Sequence, residues 1–317
     1  MHAVFLDHAS LDLGDLDLSL LHSCFDSLEL YNQTAAKEVS ARLQSAQVVI
    51  SNKVPLTAAT FAANPQLKLV LVAATGTNNI DLPAARAHGV TVCNSQAYGT
   101  PSVAQHTLLL LLALATRLSD YQQAVRNGAW QQASQFCLLD FPIMELQDKT
   151  LGILGHGELG GAVARLAEAF GMRVLLGQLP GRPARADRLP LSELLPQLDA
   201  LTLHCPLTEQ TRNLIGAREL ALMKPQALLV NTARGGLVDE PALAAALRAG
   251  HLGGAAFDVL SEEPPRQGNP LLAPDIPRLI ITPHNAWGSR EARQRIVGQL
   301  TENALAFAAG APLRVVS

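Results

Sequence analysis

The chain has 317 residues, 48% of them hydrophobic, a size that fits two domains with buried cores better than one. Its formal net charge of −3 gives no bulk attraction to nucleic acid or to an anionic membrane. The 4 cysteines show neither metal-finger nor disulfide-framework spacing, so we expect reduced thiols, no metal site and a cytoplasmic location. The sequence shows no signal-peptide pattern and no apolar run near the roughly 20 residues that span a bilayer.

In the first third of the chain, short apolar runs alternate with helical patterns. Continuous apolar strands with helical crossovers predict a parallel sheet that is covered on both faces. We expect strands at 3–6, 28–30, 48–51, 67–73 and 90–93, with helices at 35–44 and 82–88 among them.

A nearly uniformly apolar helix is predicted over 101–117, passing from one domain to the other and packing on all sides. The strand–helix pattern then starts again near Thr150. One helix begins with Asp239 as its N-cap and ends at Gly250. The predicted strands of this second series are 151–154, 173–176, 200–203, 228–231, 254–257 and 279–281.

An amphipathic helix is predicted over 290–309, and we expect it to return to the first domain. The predicted fold class is therefore α/β, with two doubly wound, Rossmann-like domains built on parallel sheets and the active site in the cleft between them. The first domain, residues 1–100 plus 286–317, is expected to bind substrate. The second domain, residues 101–285, is expected to bind a dinucleotide.

A glycine fingerprint lies between a predicted strand and a predicted helix, in the segment GHGELG at 155–160. Gly155 allows a tight turn, Gly157 lets the backbone approach a pyrophosphate, and Gly160 lets helix and strand pack closely. The amides at the start of the helix would face the phosphates. The pattern therefore predicts a bound dinucleotide; the alternative is a glycine-rich turn without a ligand.

The next strand is expected to end in an acid that binds the ribose of NAD. Gln178 stands there instead, and Arg182, Arg185 and Arg188 follow closely. A missing acid with nearby cations favours the 2′-phosphate of NADPH, although NADH is not excluded and a solvated basic loop is the alternative.

Three unlike chemical groups follow the last predicted strands of the second series. Arg234 is a permanent cation that can bind a carboxylate, and His284 can exchange a proton near neutral pH. Glu263 can orient the imidazole and stabilise its protonated form. Together with the fingerprint, these groups predict hydride transfer to or from a small 2-oxo or 2-hydroxy acid.

The chain resembles the D-isomer-specific 2-hydroxyacid dehydrogenases, and most of all their hydroxypyruvate and glyoxylate reductase (glycerate dehydrogenase) branch. The resemblance spans nearly the whole chain. Gln105 and Gln178 depart from the pattern, in which many members carry acids. The matching segments are VAATGTNNID at 72–81, SVAQHT at 102–107, GILGHGELG at 152–160, HCPLT at 204–208, NTARGGLVDE at 231–240, FDVLSEEP at 257–264 and TPHNAW at 282–287.

The resemblance implies a role for each matched position. Arg234, Glu263 and His284 would be catalytic, and Asp258 would face the nicotinamide amide. Substrate would contact Arg234, His284, Asn52, Thr75, Gly76 and Thr77. The cofactor would contact His284, Asp258, Thr107, Gly155, His156, Gly157, Glu158, Leu159, Gly160, Gln178, Arg182, His204, Cys205, Pro206, Thr211, Thr232 and Ala233.

The predicted function is therefore NAD(P)-dependent reduction of hydroxypyruvate or glyoxylate, or the reverse oxidation. Two alternatives stay open: another D-2-hydroxy acid, such as D-lactate or D-3-phosphoglycerate, and a dinucleotide-sensing binding protein related to corepressors. We further expect a homodimer built on the apolar helix at 101–115 and the segment FCLLDFPIMEL at 136–146, with no nucleic-acid or membrane partner.

Overall fold

A computed structural model describes all 317 residues, and the chain divides into two compact units. Unit 1 comprises Met1–Gly99 and Gly288–Ser317, and unit 2 comprises Thr100–Trp287. The predicted domain junctions, at 100/101 and 285/286, fall close to these bounds. The roles that the sequence analysis assigned to the two domains stay predictions.

Eleven strands form two fully parallel sheets. Most of the predicted strands agree with the structure to within a residue at each end, because short apolar runs between turn residues mark them clearly. In chain order the strands are β1 (His2–Phe5), β2 (Ser27–Leu30), β3 (Val48–Ser51), β4 (Leu69–Val72), β5 (Thr91–Cys93), β6 (Thr150–Leu154), β7 (Arg173–Gly177), β8 (Ala200–Leu203), β9 (Leu228–Asn231), β10 (Gly254–Phe257) and β11 (Leu279–Ile281).

Eleven α-helices connect and flank these strands. The helix expected over 35–44 is a 3₁₀ turn, Ala36–Glu38, followed by one short α-helix. The α-helices are α1 (Ser19–Ser23), α2 (Val39–Arg42), α3 (Ala58–Ala63), α4 (Leu82–Ala87), α5 (Thr100–Ala115), α6 (Leu118–Arg126), α7 (Glu158–Ala169), α8 (Leu191–Leu194), α9 (Ala217–Leu222), α10 (Glu240–Arg248) and α11 (Arg290–Ala308).

Unit 1 contains the five-stranded sheet, in the order β2-β1-β3-β4-β5. Helix α11 packs on α1 and β4 of the same unit and buries Ile296, Leu300 and Ala304. The Arg293 guanidinium forms two hydrogen bonds of 2.8 and 2.7 Å with the carboxylate of Asp15. These bonds hold the pKa of Asp15 at about 2, and they tie α11 to the N-terminal segment.

Unit 2 contains the six-stranded sheet, in the order β11-β10-β9-β8-β6-β7. The order in which strands are added reverses at β6: β7 lies on one side of it and β8 on the other. In open parallel sheets, ligands bind beyond the carboxyl ends of the strands at such a switch point. We therefore expect a ligand to bind at the loops that follow β6 and β8.

Helix α5 contacts α7, β9 and β10 within unit 2. The prediction that it packs on all sides is wrong, because Pro101, Gln105 and Leu109, spaced four residues apart on one face, are exposed. No single helix of the chain is long and apolar enough to cross a bilayer; only the bent pair α5 and α6, taken together, has that length and composition.

Candidate active site

The loop after β6 carries the glycine fingerprint at the start of α7. At Gly155 (φ +99°), a Cβ atom would lie 2.6 Å from the backbone of His204 and Cys205, and at Gly160 it would lie 2.1 Å from the carbonyl oxygen of Gly155. At Gly157 a Cβ would meet nothing within 4 Å. Internal packing therefore explains the first and last glycines. The exposed middle one leaves room for a molecule outside the chain, as a pyrophosphate requires.

His204 and Cys205 follow β8, directly against the Gly155 turn. The His204 amide donates to the Leu154 carbonyl oxygen at 2.7 Å, and its Nε2 lies 2.8 Å from the hydroxyl of Thr202. Burial lowers the pKa of the His204 imidazole to about 4 and raises the pKa of the Cys205 thiol to about 11. Both side chains are therefore uncharged at neutral pH, and they line the switch point as fixed neutral groups.

Gln178 follows β7, and its amide nitrogen bonds to the carbonyl oxygens of Leu179, Arg182 and Pro183 at 3.0–3.2 Å. The side chain that replaces the expected acid thus shapes the loop that carries the arginines. Arg185 already forms an ion pair with Asp187 at 2.9 Å, whereas Arg182 is exposed and has no acidic partner. Arg182 is therefore the cation of this loop most available to a phosphate.

Glu263 and His284 form a hydrogen-bonded pair, with 2.5 Å between the carboxylate Oε2 and the imidazole Nδ1. The other oxygen, Oε1, accepts from the Leu260 amide at 2.8 Å and fixes the carboxylate. Because a carboxylate only accepts, Nδ1 carries the proton and Nε2 remains for another partner. His284 has a left-handed backbone (φ +52°), which is uncommon outside glycine and recurs at functional sites.

Arg234 lies in the turn after β9, and that turn is tied to the end of its strand. The buried Asn231 side chain donates to the Arg234 carbonyl oxygen at 2.9 Å and accepts from the Ala233 amide at 3.0 Å. A Cβ at Gly235 would lie 1.9 Å from the Leu260 carbonyl oxygen, so this turn packs directly on the loop that holds Glu263. Arg234 is exposed as a residue, and its guanidinium Nη1 donates to the Ala233 carbonyl oxygen at 2.7 Å.

Asp258 is 1% exposed and bonds to the loop that presents His284. Its carboxylate accepts from the Thr282 hydroxyl at 2.6 Å, the Asn285 amide at 3.0 Å and the Ala286 amide at 2.9 Å. Sequence reasoning assigned Asp258 to a cofactor and did not foresee this contact set. A buried acid directly after the apolar strand GAAF was the available signal, since such an acid needs several donors.

Thr107 and Thr232, two further predicted cofactor residues, are buried and bonded to each other at 2.8 Å. Thr211 is buried and donates to the Pro206 carbonyl oxygen at 2.8 Å, while Pro206 is exposed. Their cofactor contacts stay predictions. The other positions of this predicted set also lie in unit 2: His156 and Ala233 in the loops after β6 and β9, and Glu158 and Leu159 at the start of α7.

The predicted substrate residues of unit 1 follow the neighbouring strands β3 and β4. Asn52 is buried, and its side chain donates to the Ser10 hydroxyl at 3.0 Å. Thr75 is exposed, and Gly76 and Thr77 are partly exposed. That these residues bind substrate stays a prediction.

Comparisons with known proteins agree on one family. A family model described as "D-isomer specific 2-hydroxyacid dehydrogenase, NAD binding domain" matches residues 108–286. The chain is 45% identical to the glycerate dehydrogenase of Methylorubrum extorquens, over 99% of this chain and 98% of that protein. It is 36% identical to the hydroxypyruvate reductase of Blautia hydrogenotrophica, over 100% of both. An acyclic imino acid reductase solved with NADPH and D-Arg superposes with a TM-score of 0.86 at 27% identity, over 100% of both chains.

Proposed function

The chain belongs to the D-isomer-specific 2-hydroxyacid dehydrogenase family and is therefore a nicotinamide-dependent oxidoreductase that acts on a CH–OH group. We propose that it interconverts hydroxypyruvate and D-glycerate, with glyoxylate as a second substrate. The observation that carries the proposal is the Glu263–His284 pair, in which Glu263 bonds to Nδ1 and leaves Nε2 for another partner. Relatives named for glycerate and hydroxypyruvate support this substrate pair.

The proposed catalytic residues all follow the carboxyl ends of strands in the six-stranded sheet. Arg234, Glu263 and His284 follow β9, β10 and β11, which are adjacent parallel strands. The carboxyl ends of such strands lie at the same end of the sheet, which supports a site shared by these three side chains. Packing of Gly235 on Leu260 links the first two loops directly.

In the reductive direction, Arg234 binds the carboxylate of the 2-oxo acid through its planar guanidinium and polarises the ketone oxygen as negative charge develops there. A nicotinamide, when bound, would supply the hydride. His284 donates its Nε2 proton to the developing alkoxide, and Glu263 stabilises the imidazolium through Nδ1. In the oxidative direction, Nε2 accepts the hydroxyl proton.

A substrate panel tests the proposal. NADPH and NADH oxidation would be followed with hydroxypyruvate, glyoxylate, pyruvate and phosphohydroxypyruvate. We expect the highest kcat/KM with hydroxypyruvate. A clear preference for pyruvate or the phosphorylated acid would move the chain to another 2-hydroxy acid. A protein that binds the cofactor but reduces none of the four would support the binding-protein alternative.

For the cofactor, NADPH is our proposal, and the exposed Arg182 without an acidic partner supports it. Gln178 supports it further, because it carries no charge that would repel a 2′-phosphate. NADH is the second candidate, because the matching family model describes an NAD-binding domain. The ratio of kcat/KM for the two reduced cofactors decides between them.

We also propose a homodimer, formed through the apolar surface of unit 2. Leu109 of α5, Phe136, Leu139 and Ile143 are exposed by 53%, 89%, 78% and 56%. A groove lined by Tyr121, Val125, Trp130, Phe136, Cys137 and Leu138 continues this surface. A monomer rarely exposes so many neighbouring apolar side chains, and the same patch on two copies can be self-complementary.

Light scattering of the native protein and of a Phe136→Asp variant tests the dimer. We expect a dimeric mass for the native protein and a monomeric mass for the variant. A monomeric native protein would contradict the proposed dimer.

A cytoplasmic location is proposed as well, and the free state of Cys24, Cys93, Cys137 and Cys205 supports it.

A further inference from the structure

Helix α5 contacts the loop of His284 at two points, on either side of that residue. The Ser102 hydroxyl donates to the Ala286 carbonyl oxygen at 2.6 Å. Four residues further on, His106 Nε2 lies 3.1 Å from the Thr282 hydroxyl. Residues four apart lie on the same face of a helix, so one face of α5 holds both ends of the loop.

The hydrogen-bond partners fix the direction of each bond. The Thr282 hydroxyl has one proton, and it also lies 2.6 Å from a carboxylate oxygen of Asp258, which can only accept. Thr282 therefore donates to Asp258 and accepts from His106. The His106 Nε2 must carry a proton, and it lies 3.7 Å from the same oxygen of Asp258.

The chain of bonds continues to the backbone on the far side of His284. Asp258 also accepts from the amides of Asn285 and Ala286, the two residues that follow His284 in the chain. His284 has φ +52°, a conformation that a side-chain-bearing residue keeps only where its surroundings hold it. The Trp287 indole donates to the His284 carbonyl oxygen at 3.0 Å and completes the set.

We propose that His106 is a positioning residue for the proton transfer of His284: its Nε2–H holds Thr282 against Asp258, and Asp258 in turn fixes the backbone that aims the catalytic imidazole. The inference rests on the proposed function of His284. It assigns no chemical step to His106, which bonds to Thr282 and lies on α5. Its effect passes through geometry, to which proton and hydride transfer are sensitive.

Two substitutions separate donation from volume. His106→Leu keeps a similar volume but donates nothing, whereas His106→Gln places an uncharged N–H donor near the position of Nε2. We expect His106→Leu to lower kcat about tenfold or more, with little change in the dissociation constant of NADPH, because the loop loses its fixed position. His106→Gln should recover most of kcat. The control is His22→Leu, an exposed histidine on α1.

Hydrogen exchange gives a readout that is independent of turnover. The amides of Asn285 and Ala286 should exchange faster in His106→Leu than in the parent, and at the parent rate in His106→Gln. Unchanged exchange in His106→Leu, a kcat within about twofold of the parent, or a His106→Gln variant as impaired as His106→Leu would overturn the inference. A parent protein that reduces no 2-oxo acid would refute the proposed function, and the exchange rates would then decide the positioning claim alone.

Discussion

The loops after the two edge strands of the six-stranded sheet differ in how they are held. Residues 282–287, after β11, are fixed by Asp258, Ser102, His106 and the indole of Trp287. The loop at 178–188, after β7, is held by the amide of Gln178, and its residues 180–187 are all exposed. A group that transfers a proton tolerates little displacement, whereas a cation that meets a phosphate acts over a longer range.

The largest effect is expected where the fixed loop carries chemistry. His284→Ala should lower kcat by about a hundredfold or more, because no group remains to deliver the proton. Turnover close to that of the parent would remove His284 from the mechanism. The firm fixation of residues 282–287 could then not be explained by proton transfer.

Arg234→Lys tests whether substrate binding needs the planar guanidinium after β9 or only a positive charge there. The ammonium keeps the charge but loses the planar, two-pronged contact with a carboxylate. We expect kcat/KM for hydroxypyruvate to fall roughly tenfold to a hundredfold. The free energy of unfolding should stay near that of the parent, because Arg234 is an exposed residue. A variant with nearly full kcat/KM would show that charge alone suffices.

Arg182→Ala tests the exposed loop. If Arg182 meets the 2′-phosphate, KM for NADPH should rise about tenfold while KM for NADH stays the same. Arg185→Ala is the matched control from the same loop, because its guanidinium is already paired with Asp187. Equal effects of the two substitutions, or equal effects on the two cofactors, would argue against a specific phosphate contact.

The smallest effect concerns His204, which lies at the end of β8 between the two edges. Burial lowers its pKa from 6.5 to about 4, so between these pH values the unfolded chain binds a proton that the folded chain excludes. The free energy of unfolding should therefore decrease as the pH falls through this range, by at most about 1.4 kcal/mol per pH unit. Denaturation of His204→Gln should show a flatter pH dependence, and parallel curves would contradict the lowered pKa of His204.

Much of the fold could be predicted, because apolar runs and caps are local signals. Strands such as β3 and β8 agree residue for residue, and Asp239 caps α10 by accepting from the Ala242 amide. Helical spacing alone predicts that Leu166 and Phe170 face the core, yet they are 38% and 46% exposed. The residues that α7 buries are mostly small, such as Gly160, Ala162 and Ala164.

The functional groups at the sheet edge could be named from motifs, but not the residues that hold them. Asn231 ties the Arg234 turn through bonds that depend on the turn conformation. His106 and Thr282 are separated by 176 positions and meet only through the packing of α5 on the sheet. No periodicity or spacing encodes such a contact, so the fold was needed to reveal it.

The central claim is that Glu263 and His284 act as one unit on the carbonyl of a 2-oxo acid. A double-mutant cycle of Glu263→Gln and His284→Ala, read as kcat for hydroxypyruvate reduction, tests it most directly. Glu263→Gln alone should lower kcat about tenfold, and the double variant should be no slower than His284→Ala, because Glu263 has no role without its imidazole. Multiplied losses in the double variant would show that the two side chains act separately and would contradict the account.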